Sequence, residues 1–180
     1  VKNLQNSRNL IKGKRSNNIA LDTWASSLTG WNSSYDSIVS NKYRLTSATN
    51  AYGRRDVFNL LDLTKYYLIT VYGTNNSDTD GAKIRLYNNG VAIIKDSSDL
   101  TKTQSARVGL IVQPSELTGT TPLLYCYHYG SGYAEFSQFF IQEITSAEYA
   151  LGLAPLMAKY PYISDSTTLA DVSRNNNNGT

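Results

Sequence analysis

The sequence predicts an all-β fold: an antiparallel β-sandwich of jelly-roll type with a short C-terminal helical segment. Three observations carry this expectation. Between Lys42 and Ile144, short stretches alternate apolar and polar residues with a period of two, the period of a half-buried strand. Turn-forming clusters separate about eight or nine such stretches, with none of the strand–helix–strand rhythm of a parallel sheet. The 180 residues, 41% hydrophobic and 17% charged, suffice to bury a core without disulfides or metals.

Taken in order, residues 1–8 read as a lead-in. Val1 and Leu4 stand at the i, i+3 spacing of a helical seam that could end a coiled coil. Asn9-Leu10-Ile11 reads as a first short strand. Lys12 to Asn41, rich in Ser, Asn, Gly and Thr, reads as long loops with short ordered pieces. Its Trp24 and Trp31 either plug the ends of a sandwich core or serve a binding surface. Lys42 to Ser47 and Tyr52 to Asn59 follow as strands, with a turn over Leu60 to Lys65. Tyr66 to Tyr72 is a strong strand with Tyr67, Ile69 and Val71 on one face, and Thr74 to Gly81 reads as a polar loop. Ala82, Ile84 and Leu86 then point inward. Asn88-Asn89-Gly90 makes a hairpin turn, and Val91 to Lys95 is the return strand. Arg107 to Gln113 alternates with Val108, Leu110 and Val112 inward until Pro114 ends it. Leu123 to Tyr129 and Tyr133 to Ile144 complete the series. Thr145 and Glu148 then form a capping box, Gly152 can close that helix, and Pro155 and Pro161 bound a further turn. The expected division is a sandwich module over 9–145, a helical appendage over 146–163 and a polar linker or truncated junction over 164–180.

Composition removes several functions. One cysteine, Cys126, and one histidine, His128, exclude an internal disulfide and a classical Cys/His zinc site. No apolar run approaches the roughly 18 residues of a membrane span. A net charge of +3, scattered along the chain, gives no concentrated basic face for nucleic acid. Cys126 and His128 share a strand face, but with Leu124 they read as one partly buried face rather than a dyad. Asp56, Glu116, Glu135 and Glu143 are the carboxylates that could serve glycoside hydrolysis, Glu135 being nearest a candidate aromatic surface. No cofactor is expected. A structural calcium ion could be held by carbonyls and isolated Asp or Asn, although the Asp78, Asp80 loop lacks the closing Glu of a calcium motif.

Binding has better support. Tyr occurs 14 times against 4 Phe, and Tyr joins a flat apolar ring to a polar tip. Tyr125, Tyr127 and Tyr129 alternate along one strand, so they share a sheet face. Gly130-Ser131-Gly132 then offers a flexible turn before Tyr133. Rings in a row suit the C–H faces of a sugar polymer, or else pack under a loop or against another subunit. Arg54 and Arg55 fall on opposite faces of their strand, and one of them could contact a ligand. The candidate ligand-binding residues are Trp31, Arg54, Tyr125, Tyr127, Tyr129 and Tyr133.

The order of pieces extends this reading. Asn9-Leu10-Ile11, a Trp-containing loop, Tyr43-Arg44-Leu45 and Leu63-Thr64-Lys65-Tyr66-Tyr67-Leu68-Ile69 resemble carbohydrate-binding modules with a galactose-binding-like jelly roll, over roughly Asn9 to Thr145. Leu63-Thr64 replaces the usual Pro-Gly. Glu148-Tyr149-Ala150-Leu151-Gly152 and Leu156-Met157-Ala158-Lys159-Tyr160-Pro161-Tyr162 resemble segments of tail and minor structural proteins of phages and prophages of Gram-positive bacteria. The resemblance implies a virion location in a tail or tail fibre, contact with host cell-surface polysaccharide, a homotrimer and other tail proteins as partners. It carries over no named ligand residue. Three functions remain in view: a non-catalytic glycan-binding module, a structural spacer or oligomerisation module of the virion, and a polysaccharide-degrading enzyme.

Overall fold

The computed structural model describes residues 18–162 apart from Asp22, Ser34, Ala48, Asp80 and Gly90. The lead-in, the strand expected at Asn9-Leu10-Ile11 and the polar linker lie outside the described residues. Among the described residues ten strands form two antiparallel sheets: β1 (Asn18–Ala20), β2 (Asp36–Val39), β3 (Lys42–Ser47), β4 (Asn50–Asp56), β5 (Tyr66–Ser77), β6 (Lys83–Asn88), β7 (Ala92–Asp96), β8 (Ser105–Val112), β9 (Pro122–Tyr129) and β10 (Gly132–Ile144). The six-stranded sheet has the order β2-β3-β10-β5-β8, with β1 pairing β10 beyond β3; the four-stranded sheet has the order β4-β9-β6-β7. The protein is an all-β, antiparallel sandwich with a few short helices.

Alternation drives the two sheets together. Val71, Val108, Leu110, Ala134 and Phe136 from the larger sheet meet Ala51, Ile84, Leu86, Leu124 and Cys126 from the smaller one in a single core. Each fully buried large apolar side chain stabilises the fold by about 1.5–3 kcal/mol. Gly53 lets the sheets approach here, since a Cβ would stand 1.6 Å from the Tyr43 hydroxyl. Trp24 and Trp31 pack edge to face against each other and at a tilt against Phe139, with Trp31 stacked on Tyr43 at 3.8 Å.

The structure redraws several expected elements. The polar stretch 12–41 contains β1, a helical turn at Thr23–Ser26 and β2. β5 runs to Ser77, through half of the expected polar loop. Polar residues are tolerated there because Asn75 is buried with its side-chain amide donating to the carbonyls of Thr79 and Leu100 and its oxygen accepting from Ser77. The strand expected over Tyr52 to Asn59 ends at Asp56, and Phe58–Leu60 coils into a 3-10 turn. Pro114 ends β8 by starting a short helix, Pro114–Leu117, at whose N-terminus the Glu116 carboxylate accepts from the Gln113 N–H.

After β10, Thr145 and Glu148 form the expected reciprocal cap on the helix Ser146–Tyr149, and Leu153–Lys159 follows. These helices cover part of the outer face of the six-stranded sheet, where Leu68, Phe140, Ile144, Leu156 and Tyr160 make a second core. Arg107 pins them by donating to the Met157 and Tyr160 carbonyls, both at 2.7 Å.

Candidate functional site

Among the described residues no segment covers the outer face of the four-stranded sheet, and register fixes what it displays. Across β4, β9 and β6, one row places Tyr52, Tyr127 and Lys83 side by side. The next row runs Arg54, Tyr125, Arg85 and, on β7, Asp96. A third brings Tyr87 beside Ile93. Adjacent strands lie ~4.8 Å apart, so these rows form a continuous aromatic surface. Tyr125 is its floor, only 6% exposed, with Tyr52, Tyr87 and Tyr127 around it at centroid distances of 5.5–5.6 Å. Tyr125, Tyr127 and Tyr129 hold nearly parallel planes, at 15° and 9°. Tyr52 and Ile93, each 50% exposed, stand up from this floor. Together with Arg85, Tyr87 and Ala92 they bound an open depression of about 530 Å³.

Charge frames the rings. Arg85 grips Asp96 with two hydrogen bonds, at 2.5 and 2.7 Å, and lies over the Tyr127 ring at 4.8 Å. The bond to Asp96 raises the guanidinium pKa, and Arg85 in turn lowers that of Asp96. Lys83 pairs with Asp99 at 3.0 Å and Asp96 at 3.6 Å. Burial pushes the Tyr127 phenol upward, partly offset by Arg85. Arg54, on the opposite side of Tyr125 from Arg85, donates to the Tyr125 hydroxyl at 3.3 Å.

Of the six residues expected at a binding surface, Arg54, Tyr125, Tyr127 and Tyr129 come together here. Trp31 does not. Its ring is spent on Tyr43, Trp24 and Phe139, and its indole N–H donates to the Trp24 carbonyl at 2.9 Å. Arg55, on the inward side of β4, lies over both tryptophans. Tyr133 is also elsewhere: Gly130-Ser131-Gly132 carries the chain from β9 in one sheet to β10 in the other. Tyr133 therefore lies on the six-stranded sheet under the Arg44 guanidinium, 4.1 Å away. That turn is close-packed rather than flexible, since a Cβ on Gly132 (φ 114°) would stand 2.6 Å from the Asn76 carbonyl oxygen. Sequence reasoning passed over Tyr52, Lys83, Arg85, Tyr87 and Ile93. For Lys83, Arg85 and Tyr87 the signal was parity: they alternate with the recognised inward positions Ala82, Ile84 and Leu86 and so face out.

Cys126, His128 and Glu135 lie apart from this surface. Cys126 and His128 are fully buried on the inner side of β9, and burial moves the thiol pKa up and the imidazole pKa down. Glu135 accepts from Arg44 and Lys42 on the other sheet. Burial opposes its ionisation, but the two cations outweigh it and hold the carboxyl below its ordinary range. Glu116 pairs with Lys95 and caps Gln113, and Asp56 accepts from the Phe58 N–H. Among the described residues no group of three His, Cys, Asp or Glu side chains is placed to hold a metal ion, and no helix is long and apolar enough to cross a membrane.

No protein-family model and no curated protein matches the sequence. Solved structures do match the fold. The CBM22-1-CBM22-2 tandem domain of Paenibacillus barcinonensis Xyn10C superposes with a TM-score of 0.54 at 12% identity, over 71% of this chain and 49% of that one. The CBM22-1-GH10 modules of Clostridium thermocellum endo-1,4-beta-D-xylanase 10B, complexed with xylohexaose, give 0.54 at 14% identity, over 69% of this chain and 28% of that one. The likeness is one of fold: the sandwich is that of carbohydrate-binding modules. The chain spans half or less of the length of either.

Proposed function

We propose that this protein is a non-catalytic carbohydrate-binding module, with the tyrosine-floored depression on the four-stranded sheet as its sugar site. The observation that carries the reading is the convergence of Tyr52, Tyr87, Tyr125 and Tyr127 from three strands on one open surface, flanked by donors from Arg54 and Arg85. Ring faces stack on sugar C–H groups while phenols, guanidinium and ammonium groups hydrogen-bond hydroxyls. The fold shared with carbohydrate-binding modules supports it. So does the clamped state of Glu135, which suits an ion-pair anchor better than a proton donor.

The finer part of the proposal follows the resemblance of residues 148–162 to phage tail segments. The module belongs to a tail or receptor-binding fibre of a virion, contacts host cell-surface polysaccharide, and acts as a homotrimer alongside other tail proteins. Single sites of this open kind bind weakly, and presentation of three raises avidity. No cofactor enters the binding; a structural calcium ion would show as a rise in Tm on adding calcium after chelation.

The test is a polysaccharide and wall-fraction array probed with the whole chain, with its oligomeric state measured by light scattering. Retention on specific glycans, lost in Tyr52→Ala and Tyr127→Ala, is the expected result. A folded oligomer that binds no glycan would favour the second reading, a spacer or oligomerisation module, which the near-complete burial of Tyr125 among its neighbours favours. Release of soluble sugar from wall material would instead indicate a degrading enzyme.

A further inference from the structure

The two arginines beside Tyr125 differ in a way that bears on the ligand. Both lie in the same row across the sheet, one strand away on either side. Arg85 is neutralised by a two-point pair with Asp96. Arg54 has no carboxylate partner among the described residues, and its side chain makes one hydrogen bond, to the uncharged Tyr125 hydroxyl. The nearest outward acid on its own strand, Asp56, spends an oxygen on the Phe58 N–H at 2.7 Å. A guanidinium carries five N–H donors in a planar fork that matches carboxylate and phosphate oxygens, and it stays cationic at any ordinary pH. It stands two residues along β4 from Tyr52, the most exposed ring of the site, and side chains at i and i+2 of a strand share a face.

We infer that the ligand of this site is an acidic glycan, whose carboxylate or phosphate is received by Arg54 while a neighbouring sugar ring rests on Tyr52 and Tyr127. This rests on the sugar-binding reading above and narrows it. Arg85 and Lys83 position rings and hydroxyls, their charge being already spent on Asp96 and Asp99. Arg54 alone of the three brings unspent charge to the surface, so an acidic group gains a charge-assisted bond there that a neutral chain does not.

The experiment uses the full chain and matched polysaccharide pairs in affinity electrophoresis: glucuronate-bearing xylan against its carboxyl-reduced form, and a phosphodiester-bearing wall polysaccharide against its dephosphorylated form. The expected result is about five- to tenfold tighter binding of the acidic member in at least one pair, the magnitude of a partly exposed charged hydrogen bond. Which pair shows it tells carboxylate from phosphate. Arg54→Gln should bind both members at the neutral level, Arg54→Lys should keep part of the preference, and raising salt from about 0.05 to 0.5 M should erase the preference in the wild type. The wild-type salt series stands even if Arg54→Gln misfolds. Equal binding of acidic and neutral members by the wild type, or a preference that survives Arg54→Gln, overturns the inference. If neutral chains still bind and Tyr127→Ala abolishes that binding, the sugar-binding reading survives it. Binding of no member of either pair would overturn both.

Discussion

The two outer faces of the sandwich answer the same problem differently. On the six-stranded sheet, Leu68, Phe140 and Ile144 point outward and are apolar, and the chain returns after β10 to cover them with Leu156 and Tyr160. On the four-stranded sheet the outward residues of β4, β9 and β6 are mostly Tyr, Arg and Lys, with Asn50, Asp56 and Leu123 at the strand ends, and no segment of the described chain covers them. A face of Leu and Phe left in water would forfeit its burial energy and invite aggregation. A face of Tyr buries ring against ring and leaves its hydroxyls to solvent. The covered face therefore belongs to stability, and the open one is where the proposed sugar site lies.

That comparison can be broken at its strongest point first. Leu156→Ala removes the centre of the covering layer, with 0% exposure, and should cost about 2–4 kcal/mol in denaturant unfolding. A change within ~0.5 kcal/mol would mean that the helical pair adds little to the sandwich. Glu148→Gln comes next. Its carboxylate accepts from the Thr145 N–H, from Lys159 at 2.7 Å and from the Tyr160 hydroxyl. Burial works against ionisation, yet these donors together hold its pKa well below the carboxylate range. The ionised form thus stabilises the fold fully above about pH 4.3, and that contribution fades as pH falls toward the folded-state value. The variant should lose about 1–3 kcal/mol at pH 7 and show a shallower loss of Tm below about pH 4.3. An acid limb identical to the wild type would reassign the cap. Smallest in stability is Tyr52→Ala on the open face, expected within about 1 kcal/mol. Glycan retention on the array should nevertheless fall with it. A larger loss of Tm than Leu156→Ala would reverse the comparison.

How far the sequence reached differs between fold and site. Val108, Leu110 and Val112 in β8 and Ile84 and Leu86 in β6 declared their faces by alternation, and all five lie in the core. The Thr145–Glu148 cap was legible because both partners fall within four residues. β2 was missed because Asp36–Val39 is half-buried throughout and shows no alternation. The end of β5 was missed because the burial of Asn75 depends on acceptors at Thr79 and Leu100 that no local pattern announces. Trp31 and Tyr133 looked like site residues because an aromatic ring in a polar context looks the same whether it plugs a core end or faces a ligand.

By itself the sequence determined an antiparallel sandwich, the inward side of most strands, the helical cap, and the tyrosine row of β9. Those follow from local periodicity and capping chemistry, which act over two to four residues. Only the tertiary structure decided that β9 lies between β4 and β6, which sets Tyr52 beside Tyr127 and stands Tyr125 between Arg54 and Arg85, of which only Arg85 has a carboxylate partner among the described residues. Strand neighbours are chosen by hydrogen-bond register and core packing between segments far apart in the chain, as Tyr52 is from Tyr127, and a period of two carries no information about that choice.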